Sequence, residues 1–261
     1  MKEEKRIGAI AGDVIGSVFE HYAIKSTQFE LFSRYSRFTD DTVLTMAIAN
    51  AIMRKIDYAS SLRTSGAKYP QAGYGASFFR WIFSSDMKPY NSWGNGSAMR
   101  VSPVGFAFES EDEVLKEAKK SAQVTHNHPE GIKGAQAVAL AIFLARSGKS
   151  KKAIKSEIIH RFGYHLDRKI DDIRPHYHFD VSCQGSVPES IIAFLEGKNF
   201  EDTIRKGVSL GGDSDTIACI AGGIAQAFYR DIPQEIVSNV RKRLPESFLH
   251  IIDKFCERYG C

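Results

Sequence analysis

The sequence is short of several things, and each shortage narrows the reading. No apolar run reaches the length of a bilayer crossing, so helical membrane spans are not expected. Met1-Lys2-Glu3-Glu4-Lys5-Arg6 is charged and no signal-type apolar stretch follows it, so no secretory leader is expected. The four cysteines, Cys183, Cys219, Cys256 and Cys261, contain no C-x-x-C pair. That predicts neither a zinc site nor a disulfide framework, and it points to a reduced, cytoplasmic setting. Excess charge is scarce as well. Thirty-five Lys and Arg against 31 Asp and Glu leave a formal net charge of +4, with the basic residues scattered. No nucleic-acid face is expected from this, while a phosphate-bearing ligand stays open. Linkers, low-complexity tracts and clear internal repeats are also missing.

What is present is a core and two acidic clusters. Hydrophobic residues make up 43% of the 261 positions, enough for a sizeable interior. Phe38-Thr39-Asp40-Asp41-Thr42 precedes the apolar run Val43 to Ala49. Thr39 as N-cap with two acids in the first turn is by itself an ordinary helix start. Far downstream, Gly211-Gly212-Asp213-Ser214-Asp215-Thr216 has the same layout before Ile217 to Gly223. Four carboxylates and two hydroxyls from two helix starts form a hard-oxygen donor set suited to Mg²⁺ or Mn²⁺. Without a cation, clustered carboxylates repel one another and shift upward in pKa. The two clusters lie near opposite ends of the chain, so both ends must share one fold. A single all-helical domain over residues 1–261 is therefore expected.

Other stretches carry narrower expectations. Gly8, Gly12 and Gly16 recur every four residues and predict a bare helical ridge against which another helix packs closely. Glu20 follows that run, either as a solvated acid or as an acid delivered to a site by a rigid helix. Residues 57–75 are polar, with Ser, Gly and Pro, and read as loop with short helical turns. Ala76 to Phe83 reads as a buried helix whose aromatics belong to the core. Asn91-Ser92-Trp93-Gly94-Asn95-Gly96 is a glycine-bearing turn before a helical stretch, a layout that lets backbone N–H groups approach phosphate. Trp93 could offer a stacking face. Pro188 is expected to open a helix through Leu195. His126 and His128 lack a third nitrogen or sulfur ligand nearby, so zinc is not expected there.

Together GDVIGSVFE, FTDDT, SWGNGSAMR, SAQVTH and SLGGDSDTIA resemble, in order, the motifs of the ADP-ribosyl-acceptor hydrolase family, which includes dinitrogenase reductase-activating glycohydrolase. The resemblance implies a compact, orthogonal all-α bundle with a binuclear Mg²⁺ or Mn²⁺ centre at the base of a cleft. It also implies hydrolysis of the bond between C1″ of ADP-ribose and an acceptor, on ADP-ribosylated proteins. Thr39, Asp40 and Asp41 match the first metal motif, and Asp213, Asp215 and Thr216 the second. Glu20 matches a mobile acid near the scissile bond, and Glu20 or Asp41 would position or deprotonate the attacking water. Ser92, Trp93, Gly94 and Asn95 match the loop around the diphosphate and distal ribose, and His126 an ADP-ribose-contacting histidine. Arginine-type members can carry an acid three residues before the loop asparagine. Ser92 occupies that position here, which leans toward O-linked, serine-type ADP-ribose. Arginine specificity and a non-catalytic ADP-ribose binder are the alternatives. A monomer is expected.

Overall fold

The computed structural model describes residues 7–260. Helices account for all of its regular structure among those residues, with a single isolated bridge between Gly94 and Ser182. In order they are α1 (Gly8–Gly16), α2 (Asp40–Arg54), α3 (Tyr58–Lys68), α4 (Ala76–Phe83), α5 (Gly96–Met99), α6 (Ser102–Ala107), α7 (Glu111–Gln123) and α8 (Pro129–Arg146). The remainder are α9 (Lys151–Phe162), α10 (Ile170–Ile173), α11 (Cys183–Glu196), α12 (Phe200–Val208), α13 (Ser214–Tyr229), α14 (Gln234–Arg241) and α15 (Glu246–Tyr259). No helix among the described residues is long and apolar enough to cross a membrane.

The centre is α13, in which every residue from Ser214 to Ala227 is buried. A helix apolar on all sides must be covered on all sides, and α1, α8, α11 and α12 do so. The glycine ridge of α1 lies directly on α13. A Cβ added at Gly12 would stand 2.0 Å from the Ala218 carbonyl oxygen, and one at Gly16 2.5 Å from the Asp215 Cα. Contact at backbone distance is possible only because those side chains are missing. It brings the helix before Glu20 against the helix that begins at Asp213.

Four local expectations change. Residues 58–68 form a helix, because Asp57 caps it by accepting the Ser60 N–H and Ala59, Leu62 and Gly66 supply a buried face. Helix α4 is one-sided: Phe78, Trp81 and Ile82 are buried while Phe79 and Phe83 face solvent. Helix α11 starts at Ser182, whose hydroxyl accepts the Gly185 N–H, and Pro188 lies inside it. Finally, α1 ends at Gly16, so Glu20 is presented by the turn that follows and not by a rigid helix. The cysteines also differ from expectation. Cys183 and Cys219 are free and buried, but Cys256 is disulfide-bonded.

Candidate metal centre

The start of α2 decides how its acids are used. A helix leaves its first N–H groups without intrahelical partners. Here the Asp40 N–H donates to the Ala72 carbonyl at 2.9 Å, the Asp41 N–H to Thr39 Oγ1 at 3.3 Å, and the Thr42 N–H to Asp13 Oδ2 at 3.1 Å. The capping is therefore complete without either Asp40 or Asp41. The ordinary helix start accounts for Thr39 as cap and for acids in the first turn, but not for an Asp41 carboxylate buried with Asp13, Asp40 and Asp213 repelling it.

Asp13 was not singled out by motif, although a lone acid in the apolar stretch from Ile7 to Val18 is a visible signal. It is fully buried in α1 and takes four hydrogen bonds from the α2 start. These come from the N–H of Thr39 (3.0 Å), its hydroxyl (2.8 Å), the N–H of Thr42 (3.1 Å) and the Thr42 hydroxyl. Asp13 thus fixes the entry of α2 from another helix. Burial still pushes it up to about 6 against those bonds.

The second acidic cluster meets the first across α1. Thr216 Oγ1 donates to Asp41 Oδ2 at 3.1 Å, while Asp41 Oδ1 is buried with no hydrogen-bond partner. Glu20, Asp213 and Asp215 each place a carboxylate oxygen within 4.8 Å of the others. Asp213 Oδ2 accepts Asn95 Nδ2 at 2.7 Å, and Asp215 Oδ1 accepts the Thr216 N–H at 3.0 Å. Burial raises Asp40, Asp41, Asp213 and Asp215, and repulsion from neighbouring acids adds to it in each, for Asp213 from Asp180 and against the Asn95 hydrogen bond. Glu20 is raised by burial, opposed by His21 and reinforced by Asp213. An orphaned buried carboxylate oxygen beside three convergent acids is a donor set that lacks positive charge. It suits a hard divalent cation. The Thr39 hydroxyl spends its hydrogen on Asp13 and one lone pair on the Asp41 N–H, leaving a second lone pair free.

The turn at residues 91–96 sits beside this cluster. The Asn95 N–H donates to the Val181 carbonyl at 2.7 Å, the Cys183 N–H to the Trp93 carbonyl at 2.9 Å, and the Gly94 N–H to Ser92 Oγ at 3.1 Å. Asn95 is buried, its amide bonded to Asp213 and Ser186, so its side chain faces the carboxylates. Trp93 is 47% exposed and available for stacking. His126 is buried behind Gly94 and Gly96, its Nε2 3.2 Å from where a Gly96 Cβ would lie.

Over residues 6–260 the sequence matches the profile of the ADP-ribosylglycohydrolase family. The chain belongs to that family. It is 27% identical to ADP-ribosylhydrolase ARH3 of Mus musculus, over 85% of this chain and 82% of that protein. It is 29% identical to ADP-ribosylarginine hydrolase Tri1 of Pseudomonas putida, over 56% of this chain and 42% of that one. A solved ADP-ribosylglycohydrolase-related protein complex has the same fold, with a TM-score of 0.77 at 22% identity over 97% of this chain and 95% of that one. The all-α architecture is thus that of the ADP-ribosylglycohydrolases.

The raised acids carry a pH prediction for the metal-free protein. Asp13 stabilises the fold fully below its usual value of 3.8, and that contribution is lost as pH rises through about 6. Asp40, Asp41, Asp213, Asp215 and Glu20 shift in the same direction. Calorimetric melting in EDTA is expected to occur at lower temperature at about pH 7.5 than at about pH 5, and added Mg²⁺ should reverse the loss at the higher pH. A profile that does not fall would show that the carboxylates are compensated within the protein.

Proposed function

We propose that this ADP-ribosylglycohydrolase is a metal-dependent hydrolase that releases ADP-ribose from modified acceptors at C1″, with O-linked, serine-type ADP-ribose preferred. The observation that carries this reading is the buried acids of two helix starts, joined by the Thr216–Asp41 hydrogen bond and gathered with Glu20 beside a glycine-bearing turn. Thr39, Asp40, Asp41, Asp213, Asp215 and Thr216 would hold two divalent cations, Mg²⁺ or Mn²⁺, which supply Lewis-acid chemistry and acidify water near neutral pH. Glu20 is half-buried with a raised pKa, which suits an acid that accepts a proton from the attacking water or orients it. Asp41 has an unpartnered oxygen for the same task. Asn95 holds Asp213 in place, and Asp13 holds Thr39. Ser92, Trp93, Gly94 and His126 would receive the diphosphate and a sugar or ring face of the ligand.

Ser92 supports the O-linked preference because it places no acid where a guanidinium would need one. The likeness to an ADP-ribosylarginine hydrolase supports arginine as the second reading. Serine- and arginine-ADP-ribosylated peptides, incubated side by side with Mg²⁺, Mn²⁺ or EDTA, separate the two. Free ADP-ribose from the serine peptide alone, abolished by EDTA, is the expected result. Release from arginine would keep the metal chemistry and discard Ser92 as an indicator. Tight ADP-ribose binding without release would favour a binding protein, and AMP as product would mean attack at the diphosphate.

A further inference from the structure

Behind the turn, Arg100 is fully buried; among the described residues no carboxylate forms an ion pair with it, although the Asp40 charge favours its cation. Its Nη2 donates to the Ser121 carbonyl at 3.1 Å and to Thr125 Oγ1 at 2.9 Å, while Nε and Nη1 have no partner. The guanidinium lies 5.9 Å from the Phe78 ring centroid. Burial lowers it to about 10, so it is a cation at neutral pH. A buried, unpaired guanidinium is costly, and its position explains what it does. Arginine only donates, so Thr125 Oγ1 must accept from it. The same oxygen lies 2.8 Å from His126 Nδ1. Among the described residues the Thr125 hydroxyl hydrogen-bonds only to Arg100, which cannot accept, and to His126 Nδ1, so its hydrogen goes to Nδ1. The ring proton is then left on Nε2.

That nitrogen has no hydrogen bond among the described residues, and it faces Gly94 and Gly96. Cβ atoms there would stand 3.7 and 3.2 Å from it. Burial and Arg100 together hold His126 well below its usual pKa, so it stays neutral. We propose that Arg100, acting through Thr125, is a positioning residue that fixes His126 as its Nε2–H tautomer and aims one donor at a diphosphate oxygen seated on Gly94–Gly96. This rests on the reading of residues 92–96 as the ADP-ribose turn.

Long-range ¹H–¹⁵N NMR on protein labelled at histidine reads the tautomer directly, and calorimetry with ADP-ribose reads its use. The wild type should show a protonated Nε2 and an unprotonated Nδ1. Thr125→Val keeps the shape but removes the hydroxyl. It should populate the Nδ1–H ring and weaken ADP-ribose binding about tenfold, the effect of one misplaced hydrogen bond. Thr125→Ser should restore both. Arg100→Gln should shift the tautomer as Thr125→Val does. If that variant does not fold, the Thr125 pair carries the test. An Nδ1–H ring in the wild type, or a spectrum unchanged in Thr125→Val, overturns the relay. An Nε2–H ring in a wild type that binds no ADP-ribose overturns the diphosphate assignment together with the site reading, and is distinguishable because the spectrum alone reports the relay.

Discussion

Asp215→Asn is expected to lower metal-dependent release of ADP-ribose by at least about a thousandfold, while the metal-free protein melts no lower than the wild type. The two halves come from the same charge. Asp215 is buried among Asp213, Asp41, Glu20 and Asp13, all of which oppose its ionisation. Asparagine has the same shape and keeps an oxygen for the Thr216 N–H, which Asp215 accepts at 3.0 Å. It removes one repelling charge from a site with no internal cation. Relief of roughly 1 kcal/mol would raise the metal-free melting temperature by about 2–4 °C in a chain of this size. The stabilisation that Mg²⁺ or Mn²⁺ gives the wild type should disappear, because ligand-linked stability follows metal affinity. Melting with and without metal, beside a hydrolysis assay, tests both halves. A variant that still gains stability from metal and still hydrolyses would remove Asp215 from the centre.

Gly12→Ala is expected to damage both fold and site. The added methyl would lie 2.0 Å from the Ala218 carbonyl oxygen and 2.3 Å from its carbon, so α1 must move off α13. Overpacking of this kind costs roughly 1–3 kcal/mol or more. It outweighs the ~1 kcal/mol that alanine gains over glycine in helix propensity. The displacement also carries Asp13 and the following Glu20 turn away from Asp213 and Asp215. Since misplacing a reacting group by about 1 Å can cost a hundredfold, activity should fall by at least about that much. Gly223→Ala is the control, because its new methyl would meet nothing closer than the Ser102 Cβ at 3.4 Å. Urea unfolding of the two variants should show a large loss for the first and little change or a gain for the second. Equal effects would mean that close approach at Gly12 is not what sets the α1–α13 distance.

The sequence by itself determined the two helices that carry the acidic clusters and the acids at their starts. Thr39 before Asp40 and Asp41, and Asp213 before Asp215 and Thr216, are local patterns, and local patterns are set by backbone N–H groups that each helix start must satisfy. The ridge of Gly8, Gly12 and Gly16 was legible for the same reason, since helical spacing alone puts the three on one face. Local composition misled where a cap outweighed it. Asp57 starts a helix in a stretch rich in Ser and Gly, and Ser182 starts one ahead of Pro188.

Only the tertiary structure decided what the side chains do once the helices meet. Asp13 looks like an isolated acid until α2 arrives to donate four hydrogen bonds to it. Asn95 belongs to a turn by sequence, yet its amide reaches Asp213, 118 positions away. The Thr216 hydroxyl bonds Asp41 across 175 positions. Arg100 closes the SWGNGSAMR stretch and Thr125 and His126 close SAQVTH, but nothing in either stretch shows that Arg100 reaches Thr125. Hydrogen-bond partners of buried polar groups are chosen by which helices pack together, and packing is a property of the whole chain. Periodicity therefore places an acid on a face, but only the assembled fold determines which other charges share its space.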